Sequence, residues 1–162
     1  MTDRIMPPRW FFGSTGNWLL EGVTTDFSGS RRPLAPGERV LGRFIVPAFQ
    51  RPLVWTEAQK MRLIESIYIG MPIGSLVWNQ TDAGNACDGW LLDGQQRTGA
   101  ICDYVAGAFT VRGWRYPDLP KIEQRHFTRM GIPVIETNIR DEAVCLEVYD
   151  RLVYGGTPHA RV

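Results

Sequence analysis

One short stretch gathers the residue types that phosphate chemistry needs. Asp93-Gly94-Gln95-Gln96-Arg97 follows three apolar residues, Trp90-Leu91-Leu92, and runs directly into Thr98-Gly99-Ala100-Ile101-Cys102-Asp103-Tyr104-Val105, which reads as a helix. An apolar strand that passes through a tight glycine turn into a helix builds an anion site. The first helical turn leaves backbone N–H groups without acceptors, and the helix dipole adds partial positive charge there. Arg97 adds a planar fork of donors suited to phosphate. Asp93 stands at the strand end as the one acid, able to act as a base or to hold a magnesium ion. The same spacing also fits a plain turn, with Asp93 capping the helix and Arg97 a solvated surface charge.

Two further clusters are candidates. Gln50 and Arg51 sit in a loop bracketed by Pro47 and Pro52, and binding residues concentrate in loops. Here the alternative is a turn in which Arg51 pairs with a nearby carboxylate. Gly155-Gly156-Thr157-Pro158 can cradle a phosphate through backbone N–H groups, or can simply stop a helix. Trp55 reads as a core or loop anchor rather than a base-stacking residue. Cys87, Cys102 and Cys145 form no CxxC pair, and His126 and His159 have no metal-ligand spacing with them. That pattern implies a reducing, cytoplasmic setting and no structural zinc.

The Asp93-Gly94-Gln95-Gln96-Arg97 run resembles the DGQQR signature of the DUF262 family, the N-terminal domain type of GmrSD-like modification-dependent restriction systems. Three more stretches, in family order, resemble it as well. Ile45-Val46-Pro47-Ala48-Phe49-Gln50-Arg51-Pro52-Leu53-Val54-Trp55 is similar to the family's opening. Leu63-Ile64-Glu65-Ser66-Ile67-Tyr68-Ile69-Gly70-Met71-Pro72-Ile73-Gly74-Ser75 is similar to its central run. Tyr149-Asp150-Arg151-Leu152-Val153-Tyr154-Gly155-Gly156-Thr157-Pro158 is similar to its end. Together they are specific, whereas DGQQR alone is weak. The chain departs from the pattern at Val153, where the family usually has asparagine.

The resemblance implies a ParB/sulfiredoxin-like α/β (α+β) fold, a small mixed sheet partly covered by helices. It also implies a nucleotide-binding, NTP-hydrolysing domain tied to DNA restriction, phage defence or DNA processing. In that role Asp93 positions metal or water, Gln95 and Gln96 contact phosphate or the attacking water, and Arg97 and Arg51 neutralise developing charge. Gln50, Gly94, Gly155, Gly156 and Thr157 would line the phosphate site. Phosphoryl transfer needs such positioning more than covalent chemistry.

The elements that must hold these groups follow from periodicity. Residues 39–46 read as one strand. Thr56 and Gln59 form a capping box ahead of a helix carrying Met61, Ile64, Ile67 and Tyr68 on one stripe. Residues 75–79, 90–92 and 131–137 read as strands, 109–111 as a short one, and 114–119 as a loop. Pro120 suits the first turn of a helix through residue 129. Asp141 caps a helix over residues 142–152. Residues 1–38, rich in Gly, Pro, Ser and Thr, read as an irregular arm ahead of a domain over 39–162. Its aromatic clusters, Trp10-Phe11-Phe12 and Trp18-Leu19-Leu20, are expected to dock on the domain or on a second copy in a homodimer. Arg31-Arg32 reads as a solvated pair.

Composition sets limits. A chain of 162 residues buries roughly two-thirds of its unfolded surface, enough for one core. A formal net charge of +1 supplies no global field for nonspecific nucleic-acid binding, so DNA contact would need a local patch or a nuclease partner. No apolar run approaches the roughly 18 residues of a membrane span. Two other functional classes stay open: a noncatalytic module holding a nucleotide or DNA phosphate, and a ParB-like nuclease. One acid without acidic neighbours makes a poor two-metal site, so the chain alone is not expected to cut DNA.

Overall fold

Strand alternation over residues 131–134 buries Ile132 and Val134, Thr137 is buried at the strand end, and this strand is the spine of the sheet. The computed structural model describes residues 5–26 and 32–155. Along the chain run β1 (Ser14–Leu19), α1 (Leu20–Thr24), β2 (Arg39–Leu41), β3 (Phe44–Val46), α2 (Glu57–Tyr68), β4 (Leu76–Asn79), β5 (Leu91–Asp93) and α3 (Gln95–Val105). They are followed by β6 (Thr110–Val111), β7 (Trp114–Arg115), a 3-10 turn (Tyr116–Asp118), α4 (Lys121–Thr128), β8 (Gly131–Thr137) and α5 (Glu142–Tyr154).

The main sheet has the order β1-β8-β4-β5, parallel between β8 and β4 and antiparallel elsewhere. This is the expected mixed α/β fold. Every residue of β4 is buried because the sheet is covered on both faces. Leu76, Trp78 and Leu91 join Ile64, Ile67, Ile101, Tyr104 and Phe127 of α2, α3 and α4 in one core. Val77 and Leu92 point the other way, to Cys145 and Val148 of α5. The capping box of α2 is formed, with Thr56 N donating to Gln59 Oε1 at 2.8 Å. Asp141 caps α5, accepting from Ala143 N at 2.8 Å.

Five local expectations are corrected. The arm over residues 1–38 is not irregular throughout, because β1 pairs with β8 over its six residues. Its local composition is a poor strand former. Trp18 holds it: the ring stacks on Phe44 at 6.2 Å, meets Trp78 edge-on at 4.9 Å and lies under the Arg43 guanidinium at 4.8 Å. Residues 39–46 are a hairpin, turned at Gly42 with φ 55° where a Cβ would meet Val23 O at 2.3 Å. Residues 114–119 form β7 and a 3-10 turn, and Pro120 is the N-cap of α4 rather than a first-turn residue. Arg32 is no solvated charge. Its side chain is 8% exposed and paired with Glu38 at 2.7 Å. Arg31 lies outside the described residues. No helix among the described residues is long and apolar enough to cross a membrane.

Candidate functional site

β5 emerges from the sheet at Asp93, and Gly94 then turns the chain with φ 99°. A Cβ at Gly94 would lie 2.2 Å from Leu76 Cδ2, so the turn tolerates only glycine. α3 begins at once, with no side-chain cap. Its first intrahelical bond is Thr98 N to Gly94 O at 2.8 Å. The N–H groups of Gln95, Gln96 and Arg97 therefore have no intrahelical acceptor and present partial positive charge.

Asp93 and Arg97 are bound to each other. Arg97 Nη2 donates to Asp93 Oδ2 at 2.9 Å, and Nη1 donates to Ile73 O at 2.9 Å. The second bond needs Gly74, at φ 82°, where a Cβ would come within 2.9 Å of Arg97 Nη1. Arg97 is thus a fixed, 17% exposed side chain rather than a solvated charge. Asp93 does not cap α3 and answers to Arg97 instead.

The two glutamines hold the loop that carries Gln50 and Arg51. Gln95 Nε2 donates to Arg51 O at 2.8 Å. Gln96 Oε1 accepts from Val54 N at 2.9 Å and Trp55 N at 3.2 Å, while its Nε2 donates to Pro52 O at 3.1 Å. These amides bond to main chain, which leaves Gln96 one Nε2 hydrogen to offer a phosphate or water in place of a side chain free to turn. Gln50 is buried and donates to Leu91 O. Gln96→Ala is expected to lower stability by about 1–3 kcal/mol and to speed hydrogen exchange at the Val54 and Trp55 amides. Unchanged exchange at those two amides would show that the loop holds itself.

Both clusters open onto one pocket of about 180 Å³, walled by Gln50, Arg51, Asp93, Gly94, Arg97 and both glutamines, with Trp55 and Leu92 completing that side. Arg51 is exposed and forms no ion pair among the described residues, whereas the charge of Arg97 is balanced by Asp93. The pocket therefore holds one balanced pair and one available guanidinium. α5 supplies two wall residues that were not nominated as site residues, Tyr149 and Val153. Four positions apart, they share a helix face, and only the docking of α5 brings that face to the loop. Tyr149 packs on Phe49 with centroids 5.4 Å apart. Burial pushes its hydroxyl pKa up, against a hydrogen bond with the Arg51 main chain. Val153, where the resemblance expects asparagine, offers the pocket no polar group.

Gly155 is the C-cap of α5, right-handed at φ −72° and absent from the pocket wall. It ends a helix there, and Gly156 and Thr157 lie outside the described residues. No group of three or more His, Cys, Asp or Glu gathers among the described residues. A magnesium ion held by protein side chains alone is not supported by such a wall. One carboxylate does fit magnesium that arrives on phosphates, since the ion keeps waters and takes one or two carboxylates besides.

The family model described as GmrSD restriction endonuclease, N-terminal domain, matches residues 35–151. That span holds every pocket residue except Val153. No curated protein and no solved structure matches the chain. With most of its length matched, the chain belongs to the family of the GmrSD restriction endonuclease N-terminal domain.

Proposed function

We propose that this pocket binds the phosphates of a nucleoside triphosphate and supports their hydrolysis, in the service of DNA restriction. The observation that carries the reading is convergence. The uncapped N-terminus of α3, the exposed Arg51 and the single carboxylate Asp93 share one small pocket. Its volume of about 180 Å³ is below the roughly 300–1,000 Å³ of pockets that enclose whole drug-sized ligands. It suits phosphates, with the rest of the nucleotide lying outside. Arg97 orients Asp93 through Oδ2, which leaves Oδ1 to position water. Arg51 approaches from the loop after β3 and balances charge that develops on the transferred group. Magnesium would enter with the phosphates and take Asp93 as its one protein carboxylate.

A second reading, binding without turnover, is favoured by two observations. Gln96 is committed to the loop, and Val153 replaces a polar wall residue. Calorimetry with ATP, GTP, CTP and UTP, with and without Mg²⁺, beside a phosphate-release assay separates the two readings. Duplex DNA in the same calorimetry distinguishes a free nucleotide from a DNA phosphate. Arg51→Ala is expected to lose about tenfold to a hundredfold in affinity, the equivalent of a charge-assisted hydrogen bond of about 1.5–3 kcal/mol. Its exposed side chain means that stability should not change. A folded wild-type protein that binds no nucleotide in any of these titrations would refute the proposal.

A further inference from the structure

A second pocket, of about 320 Å³, opens between α2, the C-terminal end of α3, the β6–β7 hairpin and α4. It shares no residue with the first. Tyr104, on its floor, lies nine residues along α3 from Gln95, on the order of 14 Å along the helix axis. The volume falls inside the range of small-molecule sites, and the lining has the matching character: an apolar wall with few polar groups.

Tyr104 is 2% exposed and Val111 is 7% exposed, so the floor is part of the core. The hydroxyls of Tyr68 and Tyr104 lie 3.1 Å apart. Their mutual bond uses one of two hydrogens, so the pair still has a donor and acceptor lone pairs to offer. Trp114, on the rim, is 55% exposed. The β6–β7 turn holds it there, with Arg112 at φ 51° and Gly113 at φ 82°. Both signs fit the two-residue turn that hairpins prefer. Among the described residues, Arg112 is the one non-glycine with positive φ. The chain thus accepts a strained arginine in the turn that presents a large aromatic ring to solvent.

Charge decides the ligand class. Glu65 and Glu123 stand on the wall against one Arg112, so the ionised groups sum to a net negative charge beside aromatic faces. The Glu123 carboxylate lies close enough to Tyr68 to add to the upward push that burial gives its hydroxyl. Aromatic faces attract cations, and the attraction strengthens as water is excluded. Carboxylates on an apolar wall penalise an anionic ligand and leave a neutral one without a charge partner.

We propose that this second pocket binds a small organic cation, an ammonium group carried on an aromatic or apolar body. The body packs on Val111, Leu119 and Trp114, and the ammonium lies between Glu123, Glu65 and the tyrosine rings.

Three probes of one shape test it: phenethylamine, 2-phenylethanol and phenylacetate, titrated into the whole chain. Calorimetry gives the affinities, and the NMR signal of the Trp114 indole N–H reports where each probe binds. Phenethylamine is expected to bind at least tenfold more tightly than the other two and to shift the Trp114 signal. Glu123→Gln, at an exposed position, should lower that affinity about tenfold. Trp114→Ala should lower it severalfold with the circular dichroism spectrum unchanged. Equal binding of the three probes, preference for phenylacetate, or no binding at millimolar concentration would overturn the proposal. So would a Glu123→Gln variant that binds phenethylamine as the wild type does.

Discussion

Glu38→Ala is expected to lose about 3–5 kcal/mol of stability at neutral pH, the usual cost of stranding one member of a buried ion pair. The Glu38 side chain is 2% exposed and that of Arg32 is 8% exposed. Arg32 Nη1 and Nη2 each donate to one carboxylate oxygen at 2.7 Å. Glu38 Oε1 also accepts from Trp90 Nε1 at 2.6 Å, and Oε2 accepts from Ala35 N at 2.7 Å. On its other side Arg32 donates to Ala86 O at 2.8 Å and Asp88 O at 3.2 Å. The pair therefore ties residues 32–38 to the loop before β5. Removing the carboxylate strands a guanidinium and two N–H groups together. Burial alone would raise the Glu38 carboxyl. The hydrogen bonds from Arg32, Trp90 and Ala35, with the Arg32 charge, outweigh it and hold the carboxyl below its usual range. A lowered folded pKa contributes stability above the unfolded value, and that stability is lost as pH falls through the folded value. The gap between wild type and Glu38→Ala should therefore be widest near pH 7 and narrow as the pH falls below about 4, the usual Glu range. Urea denaturation of both proteins across this range measures it. Equal stability at pH 7 would show that the pair is dispensable.

Gly94→Ala should be nearly as damaging and should also disable the pocket. At φ 99° a side chain is strained, at about 1–3 kcal/mol. The added Cβ would fall 2.2 Å from Leu76 Cδ2, on a fully buried side chain in β4. Overpacking of that kind costs about another 1–3 kcal/mol. Relief requires Leu76 to move or α3 to shift its first turn, and either displaces Arg97 from Asp93 and Ile73. The expected result is a stability loss of about 2–6 kcal/mol, the sum of these two costs, with the proposed nucleotide binding lost even where the protein remains folded. A loss under about 1 kcal/mol would mean that the turn is looser than its contacts imply.

Arg97 shows where local reading ends. Its place four residues after Asp93, beyond a glycine at a strand end, is written in consecutive residues, so a strand, a tight glycine turn and a helix were legible from sequence alone. The capping box at Thr56 and Gln59, the Asp141 cap and the alternation in β8 are local in the same way. Each depends on neighbours a few positions away, where backbone geometry restricts the choices. What Arg97 does is not local, because Ile73 O and Gly74 lie in another segment. Gln95 and Gln96 look like phosphate contacts in the sequence, yet their partners lie more than 40 positions upstream, at Arg51, Pro52, Val54 and Trp55. β1 is a strand because Trp18 finds Phe44, Trp78 and Arg43, not because Ser-Thr-Gly-Asn favours extension. Arg32 is buried because Glu38 and the loop before β5 surround it, and Tyr149 and Val153 reach the pocket because α5 docks there. Propensity and spacing determined which groups this protein has and the short elements that carry them. Packing between distant segments decided which of those groups were free to meet a ligand and which were already bound to their own chain, since a polar group forced out of water takes whatever partner the fold brings within reach.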